Sequence, residues 1–191
     1  MKNANENLPK SFIYSGIILG ILISSIFLPK LMLTDTKNTL QGKRLAIEFC
    51  NLFYNNTPTS AVDNHQKLML LMTPEFLKHY KEVFDNKTYS NITASRFKSN
   101  YEYKRFYKKM INNTMTIKVL GIITYASTKN NKITDPTDIT TTLSFVKDKY
   151  GDLKIDNMET MYEIKSIEGK LIEDNRKIVK EEGFEEISDR I

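Results

Sequence analysis

The 191 residues hold no tryptophan, one cysteine and two histidines. With Cys50 alone, no intramolecular disulfide can form. Its neighbours Phe49, Leu52 and Phe53 place the thiol on an apolar helix face, where a buried and inert sulfur is expected. A single cysteine fits the cytosol or the far side of a bacterial membrane, so redox compartment stays open. His65 and His79 fall on separate predicted helices with no Cys, His or Asp at ligand spacing, which argues against zinc. Asp63 and His65 are two apart on a helix and point to different faces, which fits capping or surface roles better than a shared reaction. Phosphate-loop, dinucleotide, nucleophile-elbow and zincin motifs are missing. No cofactor is expected, no metal, and no catalytic residue can be named.

Charge of one sign is also scarce. Twenty-eight Lys and Arg stand against 23 Asp and Glu, a net +5. Residues 1–30 account for +2, through Lys2, Lys10 and Lys30 against Glu6, leaving +3 for the rest. That near-balance does not fit a dedicated nucleic-acid binder. One local excess stands out: Arg96, Lys98, Lys104, Arg105, Lys108 and Lys109 interleave with Phe97, Tyr101, Tyr103, Phe106 and Tyr107. Such a run could hold phosphates and stack on bases. It could equally be a strand with aromatics packed inward and lysines solvated, and this second reading is the expectation. The six basic residues are the candidate interaction surface.

What the chain has in quantity is one long apolar run. Residues 11–29, SFIYSGIILGILISSIFLP, carry no charge and lie between Lys10 and Lys30. A helix of that length spans roughly 28 Å, about the thickness of a bilayer's hydrocarbon core. The run is longer than the apolar region of a signal peptide, and Phe27-Leu28-Pro29-Lys30 offers no small-x-small cleavage site. A retained anchor over 11–33 is expected, after a tail at 1–10. Lys30, Lys37, Lys43 and Arg44 on the far flank outnumber Lys2 and Lys10, so charge does not set the orientation. Gly16 and Gly20 form the small-residue pair that lets membrane helices approach closely.

Residues 34–162 read as a soluble α+β domain. Helical periodicity covers Thr36 to Tyr54, with Leu45, Phe49, Leu52 and Phe53 as its apolar face, and ends at Asn55-Asn56-Thr57-Pro58. Ser60 with Asp63 resembles a capping box opening a second helix, and Thr73-Pro74-Glu75 opens a third. Strand signals begin near Tyr101 and continue over 114–127, 139–150 and from Leu153, with Gly121 expected to mark a bulge or bend. Helices followed by four hairpin-linked strands describe helices packed on a four-stranded antiparallel sheet. Residues 163–191, rich in acids, read as a charged helix or mobile tail.

Val62-Asp63-Asn64-His65-Gln66, then Leu70-Leu71 and Pro74, resembles the VD-x-x-HQ…LL…P segment of the TraE-like family of conjugative type IV secretion components, with one residue fewer here. Phe49 to Phe53, Lys118-Val119-Leu120-Gly121 and Tyr150-Gly151-Asp152-Leu153 resemble other segments of that family, and the resemblance covers about residues 10–165. It implies a nuclear-transport-factor-like domain with helices on a curved sheet. It also implies a bacterial inner-membrane protein with its N-terminus cytoplasmic and its domain periplasmic. The implied role is a non-enzymatic scaffold, a homo-oligomer contacting other inner-membrane and periplasmic channel components. It transfers no active-site residue. The alternatives are a membrane-anchored α+β pocket enzyme and a membrane-tethered nucleic-acid-binding protein.

Overall fold

Two Thr-Pro steps set the boundaries of the helical layer. In the computed structural model, which describes residues 35–84, 97–112, 114–130, 132–163 and 182–187, the chain divides into two compact units, Met1–Thr39 and Leu40–Ile191. In the first, residues 35–39 are helical. The anchor expected over 11–33, with Gly16 and Gly20, lies outside the described residues. Among the described residues no helix is long and apolar enough to cross a membrane.

In the second unit, helix α1 occupies residues 40–54. Its buried stripe is Ala46, Phe49, Cys50 and Tyr54. Leu45 and Leu52, expected on that face, are only partly buried at its flank, so the stripe is rotated from the one read from the largest side chains. After α1 comes a capping box three residues before the expected one. Thr57 Oγ1 accepts from Ser60 N at 3.1 Å, Ser60 Oγ accepts from Thr57 N at 3.0 Å, and Pro58 takes the first position of the turn. Ser60 is already helical and makes no side-chain cap to α2 (Ala61–Met69), while Asp63 pairs with Lys67 at 2.7 Å. The expected Ser60–Asp63 box therefore does not form. Helix α3 (Pro74–Val83) starts as expected, with Thr73 Oγ1 accepting from Phe76 N at 3.2 Å.

Five antiparallel strands follow: β1 (Phe97–Ile111), β2 (Thr114–Ser127), β3 (Thr137–Lys147), β4 (Leu153–Glu163) and β5 (Glu185–Glu186). Their order is β4-β3-β2-β1-β5. The α+β fold matches expectation, with one strand more than the four read from sequence. Strand β5 escapes a propensity argument because it is two acidic residues long. Strand β3 stops at Lys147 because Asp148 Oδ1 accepts from the backbone of both Tyr150 and Asp152, closing a turn with Gly151 at φ 88°.

The helices cover one sheet face. Val119, Ile117, Ile123, Ile139, Leu143, Phe145 and Ile155 point from the strands into one core with Phe49, Cys50, Tyr54, Leu68 and Tyr80. Tyr54 Oη lies 2.8 Å from Thr141 Oγ1 and 3.2 Å from Thr160 Oγ1, so its polar end is satisfied inside that core. Burial pushes the Cys50 thiol up to about 12, which keeps it protonated and inert. Asn64 and His65 tie α2 to its neighbours. Asn64 Nδ2 donates to the Asn55 carbonyl at 2.9 Å, and the His65 and Tyr80 rings lie 5.4 Å apart with Nδ1 3.2 Å from the hydroxyl.

Gly121 does not itself bulge. The irregularity is in its partner, where β1 gains a residue between Tyr103 and Arg105, directly opposite. The extra residue changes the strand's parity, so Tyr101 and Phe106, five apart, share the helix side. Tyr101 lies flat across Gly121, and a Cβ there would overlap its ring. Gly121→Val is accordingly expected to destabilise the domain by about 1–3 kcal/mol in urea unfolding. Burial, with Lys81 adding a smaller push, lowers the His65 pKa below 6.5. The unfolded chain then binds the proton first as pH falls, so stability rises with pH across this window. Melting temperature should drop as pH falls from 6.5, and His65→Gln should flatten that slope.

Candidate interface at the β1 edge

Strand β1 carries five of the six basic residues singled out in the sequence, and the structure shows what each faces. Arg96 lies outside the described residues. Lys98 is exposed, and Lys104 pairs with Glu102 at 2.5 Å. The other three meet the C-terminal segment. Arg105 Nη1 is 2.5 Å from Glu186 Oε1, Lys108 sits opposite Glu185 in the ladder, and Lys109 Nζ donates to the Glu182 carbonyl at 2.6 Å. Two basic side chains of the run, Lys104 and Arg105, are therefore paired with acids of the same chain, and Lys108 lies opposite a third acid.

The C-terminal segment is anchored through a turn at Glu182–Gly183 and the short strand β5. Glu182, Phe184 and Glu186 turn to the outer sheet face, where Phe184 joins Tyr107 and Leu120 in a second apolar cluster. Ile187 turns the other way and packs against the main core, its N–H donating to the Phe106 carbonyl at 2.9 Å. Phe184 is 8% exposed, and the ammonium groups of Lys118 and Lys109 lie 4.7 and 5.6 Å from its ring centroid. Lys118 also forms an ion pair with Glu182.

Sequence reasoning missed Lys118, Glu182, Phe184 and Glu186. The signal available for the last three was their period-two spacing, E-x-F-x-E, inside a stretch whose charge reads as solvated tail. Lys118 alternates with the inward Ile117 and Val119, a pattern that any half-buried strand shares. Among the described residues no three His, Cys, Asp or Glu side chains are grouped as metal ligands would be.

The other half of the same edge is pinned by the turn after α1. Tyr101 N donates to Asn55 Oδ1 at 2.5 Å, Ser99 N to the Asn56 carbonyl at 2.8 Å, and Asn56 N to Ser99 Oγ at 3.0 Å. These bonds fasten the first part of β1 to the turn after α1. At the far edge of the sheet, the Leu70 to Thr73 connection does the same for β4. Thr73 N donates to the Ile155 carbonyl at 2.8 Å, and Ile155 N to the Leu71 carbonyl at 2.9 Å.

Solved structures share this fold. VirB8 of Agrobacterium tumefaciens matches with a TM-score of 0.54 at 12% identity, over 66% of this chain and 94% of that one. TraE, solved in complex with 2-(2-furyl)isonicotinic acid, matches at 0.53 and 10% identity, over 64% and 95%. A TrwG component of a type IV secretion system from Bartonella birtlesii matches at 0.51 and 9%, over 66% and 94%. The chain has the VirB8 fold. No family model and no curated protein sequence matches it. The β-sheet and helical layer are thus those of the nuclear-transport-factor-like VirB8 domain.

Burying one Phe side chain contributes about 1.5–3 kcal/mol, whereas a half-exposed ion pair contributes roughly 0–1 kcal/mol. Phe184, not the acids around it, should therefore hold the C-terminal segment. Phe184→Ala is expected to cost about 2 kcal/mol in chemical denaturation, and Glu186→Gln well under about 1 kcal/mol.

Proposed function

We propose that this chain is an assembly component of a bacterial type IV secretion system, of the TraE-like, VirB8-type conjugative family. In this reading residues 11–33 anchor it in the inner membrane, residues 1–10 face the cytoplasm, and the α+β domain stands in the periplasm. It acts as a scaffold, as a homo-oligomer and by contact with other channel components, and not as an enzyme. The observation that carries the reading is the fold shared with three secretion proteins over 94–95% of each of their chains.

Two further points support it. Two of the residues that resemble the family segment have structural work in this fold: the His65 ring meets Tyr80 of α3, and the Leu71 carbonyl accepts from Ile155 of β4. The buried thiol and the phenol of Tyr101, both with ionisation disfavoured by burial, do not supply a nucleophile or a base.

Amine cross-linking of the full chain in its native membranes, followed by co-purification, tests the proposal. Recovery of other envelope channel components is the expected result. Recovery of a soluble monomer carrying a tightly bound small molecule would overturn it in favour of a pocket enzyme.

A further inference from the structure

We infer that the end of the sheet carrying the β1–β2 and β3–β4 turns docks on an anionic bilayer surface, that of the membrane the anchor enters. The inference rests on the anchored reading above. Both turns lie at one end of the sheet, because Met110 of β1 pairs with Met115 of β2, and Met115 with Phe145 of β3. The β1–β2 ladder ends one residue past that row, at Ile111–Thr114, and the β3–β4 ladder two past it, at Lys147–Leu153. The last rungs are therefore level to within one residue, about 3 Å along the strands, and the two hairpins stand about 10 Å apart across them.

The chain enters the domain at this same end. Gly42, in the first turn of α1, lies so close to Met115 that a Cβ would overlap that side chain, with Ile117 beside it. Tyr54, at the other end of α1, meets Thr141 and Tyr101 farther along the strands. Gly42 comes nine residues after Leu33, the last residue assigned to the anchor, and nine residues reach at most roughly 32 Å. The opposite end of the sheet, at Ser127, is twelve residues along β2 from Met115, roughly 40 Å further on. The tether thus favours the hairpin end for contact with lipid.

The side chains at that end suit a lipid surface. Met110 and Ile111 are half-exposed, and Tyr150 is 78% exposed at the β3–β4 turn. The Met72–Ile155 bridge and the Lys154 Nζ bond to the Leu70 carbonyl bring the exposed Leu70 to the same level. The turn itself has no need of an aromatic, since Asp148 Oδ1 closes it on the N–H groups of Tyr150 and Asp152. A tyrosine at headgroup depth keeps its ring against the acyl boundary and its hydroxyl in water. Lys147 and Lys149 flank Tyr150 and are exposed, as is Arg44 in the first turn of α1. With Lys154 they leave the turn net positive against Asp148 and Asp152. Lysine is depleted from protein–protein interfaces, whereas anionic headgroups attract it, so the charge selects lipid as the occupant.

The test uses the full-length chain with the buried Cys50 retained and a fluorophore attached at Tyr150→Cys. A second sample carries the label at Lys129→Cys, in the exposed turn after β2 at the opposite end of the sheet. Each is reconstituted into phosphatidylcholine vesicles with or without roughly one-third phosphatidylglycerol, all doped with a lipid bearing a nitroxide quencher on its headgroup. In the anionic vesicles the label at 150 should be quenched at least about twofold more than the label at 129, and the difference should shrink in the neutral ones. Lys147→Gln with Lys149→Gln should lower the docking equilibrium roughly thirtyfold. Equal quenching at the two positions overturns the docking. So does quenching at 150 that ignores both lipid charge and the lysine substitutions, which would assign this end to a protein partner. Flotation in alkaline carbonate separates the two readings. Chains that float with the vesicles but show no excess quenching at 150 defeat the docking alone, and chains that do not float defeat the anchor as well.

Discussion

Backbone N–H and C=O groups on the outermost strands of an open sheet have no partner within the sheet, and much of what distinguishes this chain is placed to meet that constraint. At β1 the side chain of Asn55 and the backbone of Asn56 take up the N–H groups of Tyr101 and Ser99. Further along the same strand, Glu185, Glu186 and Ile187 take over. At β4 the connection between α2 and α3 bonds Ile155 on both its N–H and C=O. Helix-to-helix turns thus serve as edge caps, and the helical layer is fastened to the sheet at its rims as well as through its core.

The interior between those rims is apolar with a few matched polar groups. Tyr54 reaches across from α1 to two threonines on different strands, so one hydroxyl fixes the helix against both β3 and β4. Tyr101 does the opposite service. Its ring covers the bare backbone of Gly121 opposite the β1 bulge, while its buried hydroxyl lies beside the Cys50 thiol. The bulge and the glycine together let a long strand carry aromatics to both faces: Tyr101 and Phe106 to the helices, Tyr107 to the outer cluster.

Sequence periodicity located the three helices, four long strands and the Thr73 cap, because each of these signals is local. It misjudged features decided at a distance. The face of α1 followed Leu45 and Leu52 by size, yet Ala46 and Cys50 are the residues small enough to let the helix approach the sheet. Ser60 lost its capping role because Thr57 and Pro58 had already started the turn. Strand β5 was illegible for a related reason: nothing about Glu185-Glu186 favours a strand until Arg105, Lys108 and the Tyr107–Leu120 patch are beside it. The basic run was read as a strand carrying a candidate interaction surface. Its acidic complement, some seventy-five residues later, was visible only as a tail.

The account turns on that C-terminal segment completing the sheet and masking the basic edge. Hydrogen–deuterium exchange on the intact chain, compared with one truncated after Glu181, tests it most directly. The account predicts that truncation speeds exchange in the 104–111 region of β1 while β3 and β4 keep their protection. Unchanged protection across β1 would contradict it, and would mean that the acidic segment does not close this edge in solution.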